Sequence, residues 1–182
     1  VDGCEDHAEE ADAVNAAAPE ALARASRDVG AGFVHVSTDY VFDGTARASE
    51  STEPRPLNAY GRSKLDGERR ALEANPACLV LRMSAVFGWN RRTGKTNAVT
   101  SVLQKAEGRE EARLFVDQRI TPTYALTGAE AAFDLVDRGA RGIFHIASRD
   151  CVSRFEMGRM IVDVFRIPEA KLVPVTVASV PL

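Results

Sequence analysis

Apolar positions recur along this chain in two rhythms. Ala11, Val14, Ala18, Ala21, Leu22, Ala25 and Val29 repeat at helical spacing and predict one long helix from about Ala8 to Val29 with a single buried stripe. Pro19 falls inside it and should kink or split it. Gly30 and Gly32 end the pattern, and Phe33 to Ser37 reads as a short buried strand. Residues 43–57, carrying Gly, Pro, Ser and Thr, form a loop. A helix from about Asn58 to Glu73 and a strand over Cys78 to Arg82 follow. Beyond a loop with Gly88 and Gly94, the pattern predicts a helix over 97–106 and a strand at Leu114 to Val116. Leu126, Ala129, Phe133 and Val136 mark another helix, and Gly142 to Ile146 another strand. Ser153 with Glu156 makes a capping box ahead of Met157, Met160, Ile161, Val164 and Phe165 on one helical face. Strands alternating with helices predict an α/β fold, a parallel sheet with helices on both faces.

Composition narrows the classes. At 45% hydrophobic residues the chain is not intrinsically disordered, and no run of ~18 apolar residues offers a membrane span. Its 182 residues suffice for one domain that buries ~70% of its unfolded surface. Twenty-three basic residues against 26 acidic ones give a net charge of −3, which argues against a general polyanion binder, so no nucleic-acid partner is expected. Cys4, Cys78 and Cys151 are odd in number and lack a CxxC pair, and His7, His35 and His145 are equally scattered. No disulfide framework and no metal site are therefore expected. The opening residues show no basic segment followed by an apolar one, so the default expectation is a cytoplasmic protein.

The chemistry concentrates in Ser37-Thr38-Asp39-Tyr40-Val41-Phe42-Asp43-Gly44 and in Tyr60-Gly61-Arg62-Ser63-Lys64. The first run lies where an apolar strand passes into a loop, and ligands of open α/β sheets bind outside the carboxyl ends of the strands. Tyr60 and Lys64 stand four apart at the start of a predicted helix and share one face. A phenol with a pKa of ~10 is a poor acid–base catalyst at neutral pH, and a fixed ammonium nearby favours the phenolate. Thr38 could hold a substrate carbonyl oxygen while Tyr60 gives or takes its proton. Such a pair suits hydride transfer at a carbonyl carbon with a nicotinamide cofactor. A bare YxxxK alone more often means a solvated lysine beside a half-buried tyrosine; the hydroxyl-rich strand end at suitable distance is what changes the reading.

Together these pieces resemble an extended short-chain dehydrogenase/reductase, and most of all the dTDP-4-dehydrorhamnose reductase group. The matching blocks are Val1-Asp2-x-Cys4-Glu5 leading to Ala13-Val14-Asn15, the STDYVFDG run at 37–44, and Glu53-x-x-Pro56-x-x-x-Tyr60-Gly61-x-Ser63-Lys64-x-x-Gly67-Glu68. Leu81-Arg82-x-Ser84-x-Val86-Phe87-Gly88, Asp117-Gln118 with Thr121-Pro122-Thr123, and Gly142-Ile143-Phe144-His145 complete the series in family order. The resemblance implies a Rossmann-like oxidoreductase that takes NADPH or NADH and a nucleotide-sugar substrate, with a homodimer as candidate assembly. It makes Tyr60 the acid that protonates a sugar 4-keto oxygen. Lys64 would hold the nicotinamide ribose and depress the Tyr60 pKa. Thr38, Asp39 and Tyr40 would lie near the sugar, with Val36 and the Ser84 to Val86 loop lining the nicotinamide side. Ala85 stands where rhamnose-forming reductases tend to carry a Trp in the substrate pocket.

The same resemblance sets the expected organisation: one partial domain, with residues to about 110 mainly dinucleotide-binding and catalytic, and about 111–182 mainly substrate-facing. Roughly the first 60 to 70 residues of the family pattern, with its opening strands and GxxGxxG pyrophosphate turn, find no counterpart here; Gly30-Ala31-Gly32 precedes a strand rather than following one. Three rivals stand beside the reductase. The beta regulatory subunit of methionine adenosyltransferase shares the pattern without catalysis, and sugar-nucleotide epimerases share Tyr and Lys. The stretch Gly88 to Thr96 imitates a phosphate-binding loop, but five residues rather than four separate its glycines.

Overall fold

The computed structural model describes residues 3–45, 47–89 and 95–180. In chain order its helices are α1 (Gly3–Asp6), α2 (Ala8–Asp12), α3 (Ala18–Asp28), α4 (Ala59–Ala74), α5 (Ala98–Glu107), α6 (Ala125–Asp137) and α7 (Arg154–Phe165). Its strands are β1 (Val34–Thr38), β2 (Leu79–Met83), β3 (Val86–Phe87), β4 (Glu111–Phe115), β5 (Arg119–Ile120), β6 (Thr123–Tyr124), β7 (Gly142–Ile146), β8 (Val152–Ser153) and β9 (Lys171–Val175). A π-helical turn spans Ala13–Ala17 and a 3₁₀ turn spans Asp39–Val41.

The chain divides into two compact units: Val1–Ser84 with Ala129–Ile146, and Ala85–Gly128 with Ala147–Leu182. The division expected near residue 110 falls inside the second unit.

The first unit is built on a parallel sheet in the order β1-β2-β7. β2 is central, and its LVLRM sequence is buried almost throughout, as a strand covered on both faces must be. On one face Ala23 of α3 and Ala71 and Ala74 of α4 pack with Cys78 and Val80. On the other, Ala131, Ala132 and Leu135 of α6 pack against Leu79, Leu81 and Ile146. Alanines line both helical contacts, which lets the helices lie close to the sheet.

The second unit holds three two-stranded ladders. β3–β6 and β4–β9 are parallel, whereas β5–β8 is antiparallel. Its core joins Val102 of α5, Ile120, and Met157 and Ile161 of α7. The Ser153–Glu156 capping box forms as expected: Ser153 Oγ accepts from Glu156 N at 3.0 Å, and Ser153 N donates to Glu156 Oε2 at 2.6 Å.

Three apolar stripes differ from expectation. The helix expected over Ala8 to Val29 is broken into α2, the π turn and α3, and it buries Ala11, Ala16, Pro19 and Ala23 while Val14, Leu22 and Val29 are exposed. A π turn inserts extra residues per turn and rotates the following helix relative to an α-helical count. Pro19 lies in the first turn of α3, where a missing N–H costs little. In α6 the packed face is one position away from Leu126, Phe133 and Val136, all of which are exposed. In α7, Met157 and Ile161 are buried but Met160, Val164 and Phe165 are exposed. Where both faces of a helix carry apolar residues, periodicity cannot choose between them.

Candidate active site

Thr38, Asp39 and Tyr40 lie at the carboxyl end of β1, and Tyr60 and Lys64 lie in the first turns of α4. Thr38 ends β1 and caps the 3₁₀ turn: its Oγ1 accepts from Tyr40 N at 3.2 Å and donates to Asp39 Oδ1 at 3.3 Å. The hydroxyl is buried, and it acts on the Tyr60 phenol to lower its pKa. Asn58 caps α4 by accepting from Gly61 N at 2.7 Å, which fixes the helix start and with it the position of Tyr60. The Tyr40 and Tyr60 rings meet edge to face at 5.7 Å.

Gly61 and Gly67 allow α4 to come this close. A Cβ on Gly61 would stand 2.2 Å from the Tyr40 carbonyl oxygen, and one on Gly67 would stand 1.9 Å from the Asn15 carbonyl oxygen. Both neighbours are backbone and cannot step aside. One turn after Tyr60, Lys64 Nζ donates to the Val36 carbonyl at 2.7 Å. The chain of Asn15 Nδ2 to Ser63 Oγ (3.0 Å) and Ser63 Oγ to the Tyr60 carbonyl (2.9 Å) ties the π turn to the same helix.

Electrostatics differ in one respect from the sequence expectation. Burial raises the Tyr60 phenol above its ordinary value; the Thr38 hydrogen bond opposes this, and Asp39 adds to it. Burial also lowers the Lys64 ammonium, against the pull of Glu68. Desolvation is the largest cause at Tyr60 and sets the direction, opposite to the depression expected.

Of the residues expected at the nicotinamide side, Val36 is 54% exposed on the edge strand. Ser84, the residue after β2, is buried, and its Oγ has no hydrogen-bond partner among the described residues. Ala85 begins the second unit and holds a positive φ of 41°, a conformation in which an L residue is strained. Asp117 also belongs to that unit and accepts from Val177 N at 3.0 Å. Residues 90–94 of the phosphate-loop imitation, and Val1 and Asp2 of the first family block, lie outside the described residues.

A family model described as the RmlD substrate binding domain matches residues 1–182. The chain belongs to this family. The chain is 41% identical over 170 residues to the probable low-salt glycan biosynthesis reductase Agl14 of Haloferax volcanii, covering 90% of this chain and 56% of that protein. It is 39% identical over 188 residues to the dTDP-4-dehydrorhamnose reductase of Mycobacterium tuberculosis, covering 100% of this chain and 61% of the relative. To methionine adenosyltransferase 2 subunit beta of Danio rerio it is 35% identical over 164 residues, 86% of this chain and 50% of that one. Among solved structures, the dTDP-4-dehydrorhamnose reductase of Clostridium acetobutylicum superposes with a TM-score of 0.91 at 32% identity, covering 100% of this chain and 63% of the other. The Bacillus anthracis enzyme of that name, solved in complex with NADP, gives 0.91 at 29% identity, with 98% and 62% covered. The chain thus spans 56% to 61% of the length of these two relatives.

Asn15, Ser37, Glu68 and Arg82, to which the sequence pattern attaches no role, also have polar partners here. Glu68 is buried at 1% exposure, and Arg82 Nε and Nη2 reach its carboxylate at 2.9 and 2.6 Å. Ser37 Oγ donates to the same carboxylate. A readable signal existed: an Arg inside the otherwise apolar strand LVLRM, and a Glu on the helix face that also carries Leu65 and Ala71. Charges in those places require a partner.

Proposed function

We propose that this protein reduces the 4-keto group of a sugar nucleotide, of the dTDP-4-dehydrorhamnose type, with hydride from NADPH or NADH. The observation that carries the reading is the Thr38–Tyr60 hydroxyl pair beside Lys64, whose ammonium is pinned to the Val36 carbonyl. The family and the reductase names of its relatives support the same chemistry.

The residues present fit a nicotinamide. Ser84 offers a buried, unpartnered hydroxyl at the end of β2, next in the chain to Met83, which pairs with Thr38. Val36 leaves its side chain open on β1, and Lys64 would reach the ribose. When bound, the cofactor supplies the hydride. Thr38 holds the substrate carbonyl oxygen through its hydroxyl. Tyr60 delivers its proton to that oxygen as the carbon is reduced. Its raised pKa keeps the phenol protonated at neutral pH, the state a donor must start from. The Lys64 cation stabilises the phenolate that remains. Asp39 and Tyr40 would flank the sugar. In this reading the first unit carries the dinucleotide and proton chemistry, and the segment from about 111 onward contributes mainly to the substrate side. A cytoplasmic location and a homodimeric assembly belong to the same proposal; light scattering tests the latter.

The test is NADPH oxidation coupled to dTDP-4-dehydro-6-deoxyhexose by the protein expressed from its complete gene. Wild type should turn over, and Tyr60→Phe should lose about 10²- to 10⁴-fold. Equal turnover by Tyr60→Phe would remove the catalytic assignment. The likeness to methionine adenosyltransferase 2 subunit beta favours a second reading, a binding subunit without turnover. NADPH binding with no reduction of any 4-keto sugar nucleotide would select it.

A further inference from the structure

The buried ion pair under the site has a geometry that reaches beyond packing. Glu68 lies on α4 four residues after Lys64 and eight after Tyr60, so all three share one helical face. Its carboxylate is gripped from two strands. Arg82 of β2 approaches it with Nε–Oε1 at 2.9 Å and Nη2–Oε2 at 2.6 Å, and Ser37 of β1 donates to Oε1. Ser37 is the neighbour of Thr38 and stands opposite Arg82 in the β1–β2 register. The pair is dry, with side-chain exposures of 3% and 2%. The Arg82 guanidinium also sits 5.1 Å from the centre of the Phe42 ring, in the turn that follows Thr38.

We propose that Glu68 is a positioning residue for Tyr60 and Lys64, clamping α4 to Ser37 and Arg82 so that the Tyr60–Lys64 face is held in register with Thr38. As a role in catalysis this rests on the reductase reading; as a clamp on Lys64 it stands without it. A neutral core would pack as well or better, since replacing a buried ion pair by apolar residues is often neutral or stabilising. What an apolar pair cannot supply is the directional tie of one carboxylate to two strands, or a negative charge beside Lys64. The groups facing this cluster are Arg82 and His35 from the sheet, His145 from β7 with Glu50 bonded to its backbone N–H, and Asp39 from the turn. Among them Glu68 opposes the desolvation that lowers Lys64.

The test uses the protein expressed from its complete gene, with Glu68→Gln, Ser37→Ala and the paired replacement Glu68→Met with Arg82→Met. The readouts are thermal unfolding, kcat and KM, and the Lys64 pKa from ¹³C-dimethyl-lysine NMR assigned with Lys64→Arg. Glu68→Gln should lower Tm, lower kcat about 10- to 100-fold with little change in KM, and lower the Lys64 pKa by about one unit. The paired Met variant should recover Tm while kcat and the Lys64 pKa stay low. Ser37→Ala, which keeps the ion pair, should fold normally and lower kcat a few-fold. Recovery of kcat together with Tm in the paired variant would reduce Glu68 to a packing role and overturn the proposal. An unchanged Lys64 pKa in the Glu68 variants would overturn it as well, whether or not the enzyme turns over. Absence of turnover by wild type with a normal Lys64 response would instead strike the reductase reading alone.

Discussion

Helices α4 and α7 each follow a side-chain cap and each bury a glycine, yet they are held in opposite ways. Around α4 the close contacts are backbone: the Tyr40 carbonyl at Gly61 and the Asn15 carbonyl at Gly67. Its largest fully buried side chain is a charged one, Glu68, tied to two strands. Around α7 the close neighbour of Gly158 is the end of the Leu114 side chain, 2.3 Å from where a Cβ would stand, and the buried residues are Met157 and Ile161. A flexible Leu terminus can rotate away, and Met can repack. Backbone carbonyls and a bidentate carboxylate cannot. A helix fixed by immovable contacts sets the position of what it carries, and α4 carries Tyr60 and Lys64. A helix fixed by interchangeable ones serves to fill a core.

The largest effect that could break this contrast comes from adding one methyl to each helix. Gly67→Ala should cost about 3 kcal/mol or more in urea unfolding, because α4 must retreat from the Asn15 carbonyl. Gly158→Ala should stay within about 1 kcal/mol of wild type, since the gain in helix propensity offsets the displacement of Leu114. Similar costs at the two sites would erase the distinction.

The polar side of the contrast has a pH signature. His35 is buried beneath α4 with a pKa lowered from 6.5 to about 4, first by burial, then by the Lys64 charge, with Glu68 opposing. Between those values the unfolded chain takes up a proton that the folded chain refuses. The contribution is therefore full above pH 6.5 and is lost as pH falls towards 4, up to about 3 kcal/mol. Urea unfolding from pH 7 to 4 should show this slope, and His35→Gln should flatten it. A slope unaltered by that change would place the pH sensitivity elsewhere.

The smallest effect sharpens the comparison at the start of α7. Ser153→Ala removes the acceptor for Glu156 N and should cost about 1 kcal/mol, without the disproportionate loss of turnover expected for changes at Glu68. Loss of activity out of proportion to stability there would show that α7, too, positions chemistry.

What could be read beforehand follows the same line. The core strands Val34–Thr38, Leu79–Met83 and Gly142–Ile146 and helix Ala59–Ala74 stood within one or two residues of their sequence signals, because runs of β-branched and aliphatic residues and an Asn cap are local features. The short ladders of the second unit were not legible: β5, β6 and β8 have two residues each, too few for a period, and β9 carries Pro174, a residue disfavoured in strands. At the site, Thr38, Tyr60 and Lys64 announced themselves through spacing. Glu68 and Arg82 did not, since their partnership joins a helix to a strand 14 residues away and only the packed fold brings them together. The rise of Tyr60 was hidden for a related reason: sequence showed the lysine four residues on but not the burial that raises the phenol.

The central claim is that Tyr60 donates the proton in a hydride reduction of a keto sugar, and deuterium transfer tests it most directly. The protein expressed from its complete gene is given NADPH deuterated at the transferable C4 position together with dTDP-4-dehydro-6-deoxyhexose. Deuterium should appear at C4 of the product sugar, with transfer slowed about 10²- to 10⁴-fold by Tyr60→Phe. No deuterium at that carbon, or equal rates for the two proteins, would contradict it.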